Sequence, residues 1–111
     1  MYTVFIADDE SKVINGLINR IHWDILDTCV VGYSKNGREA EEKILELKPN
    51  IVITDIFMPG QTGLQLMEKL KGRCDAVFII FSAYSEFEYA REAIHLEVEE
   101  YILKPLNAVE L

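Results

Sequence analysis

The chain has 111 residues, of which half are hydrophobic, and 11 basic against 19 acidic side chains give it a formal net charge of −8. This length predicts a single domain over residues 1–111, and the negative charge disfavours nucleic-acid binding by the segment itself. No apolar run approaches the roughly 20 residues of a membrane span, and no secretion signal is recognisable, so we expect a cytoplasmic protein without membrane contact.

Strand-like and helix-like patterns alternate along the chain. The predicted strands are residues 2–7, 28–34, 51–54, 76–81 and 101–103. The predicted helices are residues 11–22, a segment from Asn36 to just before Pro49, residues 64–70, residues 85–96 and a segment from Asn107 onward. This alternation predicts an α/β fold with a doubly wound, five-stranded parallel sheet, and right-handed crossovers favour the flavodoxin-like order 2-1-3-4-5.

Local signals refine the helices. Ser11 is expected to cap the first helix and Asn36 the second, since both residue types accept hydrogen bonds from helix amides. In the second helix, Ala40, Ile44 and Leu47 are expected to face inward. The fifth helix is expected to be truncated, because residues 107–111 supply only a cap and a first turn. We therefore expect a longer regulator, in which the missing turns cover apolar side chains that otherwise favour self-association.

Polar and charged residues follow four of the five predicted strands. They are Asp8 and Asp9 after the first strand, Asp55 after the third, Ser82 after the fourth and Lys104 after the fifth. The carboxyl ends of parallel strands meet at one edge of the sheet, where ligands bind in open α/β folds. The sequence therefore predicts one crevice containing three carboxylates, a hydroxyl and an ammonium group.

This set of groups indicates phosphoryl chemistry. Three neighbouring carboxylates repel one another, so either one of them holds a proton or a divalent cation lies between them. Mg²⁺ is the expected cation, because it prefers oxygen ligands and leaves a place for a phosphoryl oxygen. Beside it, Asp55 is a candidate nucleophile for phosphorus, and Lys104 can offer positive charge to the transferring oxygens.

As a set, these motifs resemble the receiver domain of two-component response regulators, over essentially the whole chain. The motifs are Asp8-Asp9, Asp55 with Met58-Pro59 and Gly63, Ser82-Ala83, and Tyr101 with Lys104-Pro105. Further segments resemble receivers fused to an AraC-type helix-turn-helix output domain. These are Ile21-His22-Trp23, Asn36-Gly37, residues 55–59 and residues 84–90.

The resemblance implies that Asp55 accepts a phosphoryl group from a histidine of a sensor kinase. It also implies that Asp9, Asp55 and the backbone carbonyl of Phe57 ligate Mg²⁺, and that Asp8 reaches the ion through a water molecule. The domain would then catalyse only its own phosphorylation and dephosphorylation, and would not be an enzyme acting on free substrates.

A switch is implied as well. Ser82 and Lys104 would contact the phosphoryl oxygens, and Tyr101 would move inward with Ser82. The surface formed by the fourth helix and fifth strand would then pair with a second receiver, and DNA would be contacted only through the output domain. We also predict a cis Lys104-Pro105 bond, because the lysine must point back over the crevice while the chain turns away.

Two other functions remain possible from the residues alone. A flavin or nucleotide site needs a hydroxyl- or glycine-rich phosphate loop after the first strand, whereas this chain has Asp8-Asp9-Glu10 there. An aspartate-nucleophile phosphohydrolase typically has a second aspartate two residues after the first, but position 57 is phenylalanine.

The chain also departs from the family pattern at three positions. Glu97 replaces a common glycine at the end of the fourth helix, and a left-handed backbone there would cost about 1 kcal/mol. Asn50 and Thr62 stand where aspartates are frequent, and neither is expected to affect the chemistry.

Overall fold

The computed structural model describes residues 2–56, 58–82 and 100–103. Its strands are β1 (Tyr2–Ala7), β2 (Thr28–Ser34), β3 (Ile51–Thr54), β4 (Val77–Ser82) and β5 (Glu100–Leu103). Its helices in these residues are α1 (Ser11–Arg20), α2 (Gly37–Leu47) and α3 (Gly63–Leu70). The strands form one parallel sheet in the order β2-β1-β3-β4-β5, which confirms the predicted fold class and strand order.

Helices cover both faces of the sheet, as the packing around β1 shows. Its side chains alternate between faces, as they do in any strand. Val4 and Ile6 pack with Ile14 and Leu17 of α1 on one face. On the other face, Phe5 and Ala7 pack with apolar residues of α2 and α3. These are Ala40, Ile44, Leu66 and Leu70. Since β1 is buried on both faces, the sheet is doubly wound, as predicted.

Helix α1 differs from its prediction at both ends. Its N-cap residue is Glu10, which makes no side-chain capping hydrogen bond, so the prediction that Ser11 caps this helix is wrong. Glu10 is held extended because its amide donates to Oδ1 of Asp8 at 2.9 Å. The helix ends at Arg20 rather than at residue 22, and Nε1 of Trp23 donates to the carbonyl of Leu17 at 2.9 Å. That hydrogen bond satisfies a carbonyl of the last turn.

Helix α2 begins as predicted. The side chain of Asn36 accepts hydrogen bonds from the amides of Arg38 and Glu39. The helix ends at Leu47, and Lys48 follows in a left-handed conformation before Pro49. Leu47 was expected to face inward but is 42% exposed. It lies at the end of the helix over Gly32 of the edge strand β2, and a glycine has no side chain for Leu47 to pack against.

Helix α3 begins with a capping motif that the sequence interpretation missed. Oγ1 of Thr62 accepts from the amide of Gln65, and Oε1 of Gln65 accepts from the amide of Thr62. The two hydrogen bonds form a reciprocal capping box. Thr62 therefore has a structural role, and the helix begins at Gly63, one residue earlier than predicted.

Several predictions fall outside the described residues. They concern the fourth helix (85–96) with Glu97, the backbone carbonyl of Phe57, the cis Lys104-Pro105 bond, the helix after Asn107, and the side chains of Ser82 and Tyr101. Among the helices that the structure does describe, none is long and apolar enough to cross a bilayer.

Candidate functional site

Asp8 and Asp55 follow neighbouring strands at the same edge of the sheet. Ala7 at the end of β1 pairs with Thr54 at the end of β3, and the amide of Asp55 donates to the carbonyl of Ala7 at 2.9 Å. Neighbouring strands lie about 4.8 Å apart, so the two aspartates are adjacent. Both are buried, with exposed fractions of 2% for Asp8 and 5% for Asp55.

Main-chain amides orient both buried carboxylates. Oδ1 of Asp8 accepts from the amide of Glu10 at 2.9 Å. Oδ1 of Asp55 accepts from the amide of Ile56 at 2.7 Å. Aspartates readily form such hydrogen bonds with the next residues of the chain, which helps each strand to end in a turn. The local sequence therefore both terminates the strands and fixes their carboxylates at the edge.

An acidic cluster lies at the end of β1. Carboxylate oxygens of Asp8, Asp9 and Glu10 lie within 4.8 Å of one another, and Asp9 and Glu10 are exposed. Within residues 2–56, 58–82 and 100–103, this group does not include Asp55. The predicted ligand set omitted Glu10, although its position directly after Asp8-Asp9 was a visible signal. Hard oxygen donors of this kind suit Mg²⁺, so the donor chemistry fits the expected cation.

The chain leaving Asp55 forms a closed turn that explains Gly63. The amide of Gly63 donates to the carbonyl of Ile56 at 2.6 Å, and Oγ1 of Thr54 donates to the carbonyl of Asp55 at 3.0 Å. A Cβ atom at Gly63 would overlap the carbonyl oxygen of Asp55. Gly63 is therefore required by the close approach of two backbone segments.

The remaining predicted site residues are only partly described. Thr54 pairs with Ile80, which pairs with Tyr101, and Ser82 pairs with Leu103. The ends of β4 and β5 therefore lie at the same edge as Asp55, as predicted. The side chains of Ser82 and Tyr101 lie outside the described part. Lys104, which is predicted to contact the phosphoryl group, lies outside the described part as well. So does the carbonyl of Phe57, which is predicted to ligate Mg²⁺.

Comparison with known proteins identifies the family. Residues 4–111 match the family model of the response regulator receiver domain. The chain belongs to this family. The receiver domain is also 44% identical over 108 residues to "Uncharacterized transcriptional regulatory protein YesN" of Bacillus subtilis. That alignment covers 96% of the chain but only 29% of YesN.

Solved structures agree with this assignment. The "REC domain of AraT, a response regulator from Geobacillus stearothermophilus" superposes with a TM-score of 0.91 and 34% identity, covering 98% of this chain and 85% of that one. A "DNA-binding response regulator, LuxR family, from Staphylococcus aureus" superposes with a TM-score of 0.89 and 28% identity, covering 99% of this chain and 92% of that one. The predicted family is thus confirmed.

Proposed function

We propose that this receiver domain accepts a phosphoryl group on Asp55 from a phosphohistidine of a sensor kinase, and thereby controls a fused transcription output. One observation carries the proposal: in a chain of the receiver family, Asp55 is a buried carboxylate at the carboxyl end of β3, adjacent to the buried Asp8. Buried neighbouring carboxylates are costly for folding, which favours a functional reason for placing them together.

The transfer is a displacement at phosphorus. A carboxylate oxygen of Asp55 forms the new P–O bond while the P–N bond to the kinase histidine breaks, and the imidazole leaves with the bonding electrons. The hydrogen bond from Ile56 at 2.7 Å limits rotation of the carboxylate, so the acceptor approaches phosphorus in a fixed orientation.

We assign the Mg²⁺ site to Asp8, Asp9 and Asp55 together with the backbone carbonyl of Phe57. Glu10 is close enough to the first two carboxylates to contribute negative charge to the site. A bound Mg²⁺ would neutralise charge on the phosphoryl oxygens and on the acidic edge. Asp8 is buried and held by the amide of Glu10, so it serves as the rigid part of this site, whereas Asp9 is exposed.

The proposal also includes a conformational switch, pairing with a second receiver and a fused output domain. Ser82 and Lys104 would contact the phosphoryl oxygens, and Tyr101 would move inward as Ser82 moves. Phosphorylation would then favour pairing with a second receiver through the fourth helix and β5. The names of YesN and of the Staphylococcus aureus regulator support a transcriptional output. We propose an AraC-type output domain that makes the DNA contacts.

We propose further that the domain catalyses only its own phosphorylation and dephosphorylation, in the cytoplasm beside its kinase. Turnover of a free substrate needs a group that hydrolyses the aspartyl phosphate rapidly, and the general-acid position two residues after Asp55 is occupied by Phe57. The phosphorylated state would therefore persist long enough to act as a signal.

Intact-mass measurement after incubation with acetyl phosphate tests the proposal. We expect the protein to gain one phosphoryl group when Mg²⁺ is present and none when it is chelated. Asp55→Asn should abolish the gain, whereas Asp75→Asn, a change at an exposed acid preceding β4, should leave it intact. An undiminished gain in Asp55→Asn would place the acceptor elsewhere and overturn the proposal.

A further inference from the structure

Gln61 lies six residues after Asp55 and is 6% exposed, an unusual degree of burial for a glutamine. We infer that Gln61 is a positioning residue for the phosphorylation of Asp55, because it fastens the turn that leaves Asp55 onto the first turn of α2. The inference rests on the proposed function, since it assigns a role in that same reaction.

Gly37 holds this turn through both of its main-chain groups. Its amide donates to the carbonyl of Pro59 at 2.8 Å, and its carbonyl accepts from Nε2 of Gln61 at 2.9 Å. The two hydrogen bonds join segments that are more than twenty residues apart in the chain. The turn after β3 is thereby attached to α2 at two points.

Glu41 extends the attachment by one helical turn. Nε2 of Gln61 also donates to Oε1 of Glu41 at 3.0 Å. The other carboxylate oxygen of Glu41 lies 3.5 Å from Nη1 of Arg73, just beyond the end of α3. Glu41 therefore links α2 to the segments at both ends of α3.

Two glycines allow the close fit between these segments. A Cβ atom at Gly37 would overlap the carbonyl oxygen of Gln61. Gly60 has a φ of +89°, and a Cβ atom there would lie 2.6 Å from Oδ1 of Asn36. A side chain at either position would separate the turn from α2, so the contact depends on both glycines.

The attachment reaches Asp55 through a short path. The turn is closed by the hydrogen bond from Gly63 to Ile56, and the amide of Ile56 holds the Asp55 carboxylate. Fixing Pro59 and Gln61 on α2 therefore fixes the path of the chain between Asp55 and α3. Without the attachment, the Asp55 carboxylate would sample more orientations, and fewer would suit attack on phosphorus.

The two polar atoms of the Gln61 amide differ, because its NH₂ group makes two hydrogen bonds whereas its oxygen makes none among the described residues. Its Oε1 atom is buried and has no hydrogen-bond partner among the described residues. A buried acceptor without a partner is unfavourable, and an apolar side chain of similar size would avoid that penalty. Retaining the amide is therefore better explained by what its NH₂ group holds in place.

The test compares Gln61→Met, which keeps the side-chain volume but removes the donor, with wild type. In acetyl phosphate assays with Mg²⁺, we expect the maximal phosphorylation rate to fall roughly tenfold, with the half-saturating acetyl phosphate concentration changed less than about twofold. Hydrogen exchange at the amides of Gly37 and Gly63 should accelerate about tenfold.

Two further variants separate positioning from general stability. Gln61→Glu sets a carboxylate against Glu41 and should slow phosphorylation more than Gln61→Met. Adding Glu41→Gln restores a donor between positions 61 and 41 and should recover part of the rate. Asn50→Ala, which removes hydrogen bonds to Thr3 away from this edge, should lower the melting temperature without changing the rate.

The outcomes distinguish this inference from the proposed function. A wild-type maximal rate in Gln61→Met, with wild type phosphorylated on Asp55, overturns the positioning role even if exchange accelerates. If wild type gains no phosphoryl group, the proposed function fails, and the positioning role fails with it. In that case, accelerated exchange in Gln61→Met would leave only a structural attachment of the turn.

Discussion

The two edges of the parallel sheet differ in the exposure and the charge of their polar side chains. At the amino edge, Thr3 and Asn50 bond to each other: the amide of Thr3 donates to Oδ1 of Asn50 at 2.8 Å, and the amide of Asn50 donates to the carbonyl of Thr3 at 2.9 Å. Asn50 is exposed there. At the carboxyl edge, two carboxylates, those of Asp8 and Asp55, are buried beside the hydroxyl side chains of Ser34 and Thr54.

This difference distinguishes an edge that needs only a structural explanation from an edge that needs a functional one. Reciprocal hydrogen bonds between neutral groups join strands at little electrostatic cost, so the amino edge needs only a structural explanation. Carboxylates placed together in a buried site repel each other and lose solvation, which opposes folding. We therefore attribute the placement of the buried carboxylates at the carboxyl edge to the proposed phosphoryl transfer, and variants at the two edges can test this division.

The largest expected effect is on phosphorylation. Asp9→Ala removes an exposed carboxylate from the acidic cluster at the end of β1, and we expect phosphorylation by acetyl phosphate to slow roughly a thousandfold, because a catalytic cation is worth several kcal/mol. The initial rate should also lose its dependence on Mg²⁺ concentration. Asp75→Ala is the matched control, since Asp75 is an exposed acid just before β4 at the amino edge. Equal rates in the two variants would contradict the assignment of function to the carboxyl edge.

The next effect is on stability, at Gly63. Gly63→Ala drives a Cβ atom into the carbonyl of Asp55, and we expect a loss of about 3 kcal/mol in the free energy of unfolding, measured with urea. Gly16→Ala is the control in α1, where nothing lies within 4 Å of the added atom. That change should stabilise the protein by about 1 kcal/mol, because alanine is the better helix former. A mild effect of Gly63→Ala would mean that the turn after Asp55 can relax.

A smaller effect is expected at the amino edge. Asn50→Ala removes the acceptor for the amide and hydroxyl of Thr3, and we expect a loss of about 1.5 kcal/mol in the free energy of unfolding. The phosphorylation rate of the folded protein should stay at the wild-type value. A slowed reaction would show that the two edges are coupled, and it would contradict the purely structural role of the amino edge.

The smallest effects concern the starts of α1 and α3. Thr62→Ala removes the capping box of α3 and should cost about 1 kcal/mol. Ser11→Ala should change the free energy of unfolding by less than about 0.5 kcal/mol, because Ser11 is not the cap of α1. The two variants can be compared by thermal unfolding under identical conditions. A larger cost for Ser11→Ala than for Thr62→Ala would contradict the observed caps.

Most of the fold could be predicted from the sequence because its signals are local. The continuous apolar run at the end of β1 and the helical spacing of apolar residues in α1 indicate which side chains are buried, and the handedness of crossovers restricts the strand order. The same reasoning located Asp8 and Asp55 at one edge, since both directly follow strands. Predictions at helix ends were less accurate. Serine is a residue type that commonly caps helices, but the turn at Asp8 places Glu10, rather than Ser11, at the N-cap position of α1.

The sequence by itself therefore determined the architecture, the family and the edge on which the acidic residues gather. Only the tertiary structure decided that Gln61 reaches Gly37 and Glu41, that Thr3 joins Asn50, and that Leu47 is exposed at the end of α2. The physical reason is distance along the chain. Periodicity specifies the face on which a side chain lies, whereas contacts between residues 20 to 47 positions apart depend on how the packed elements meet.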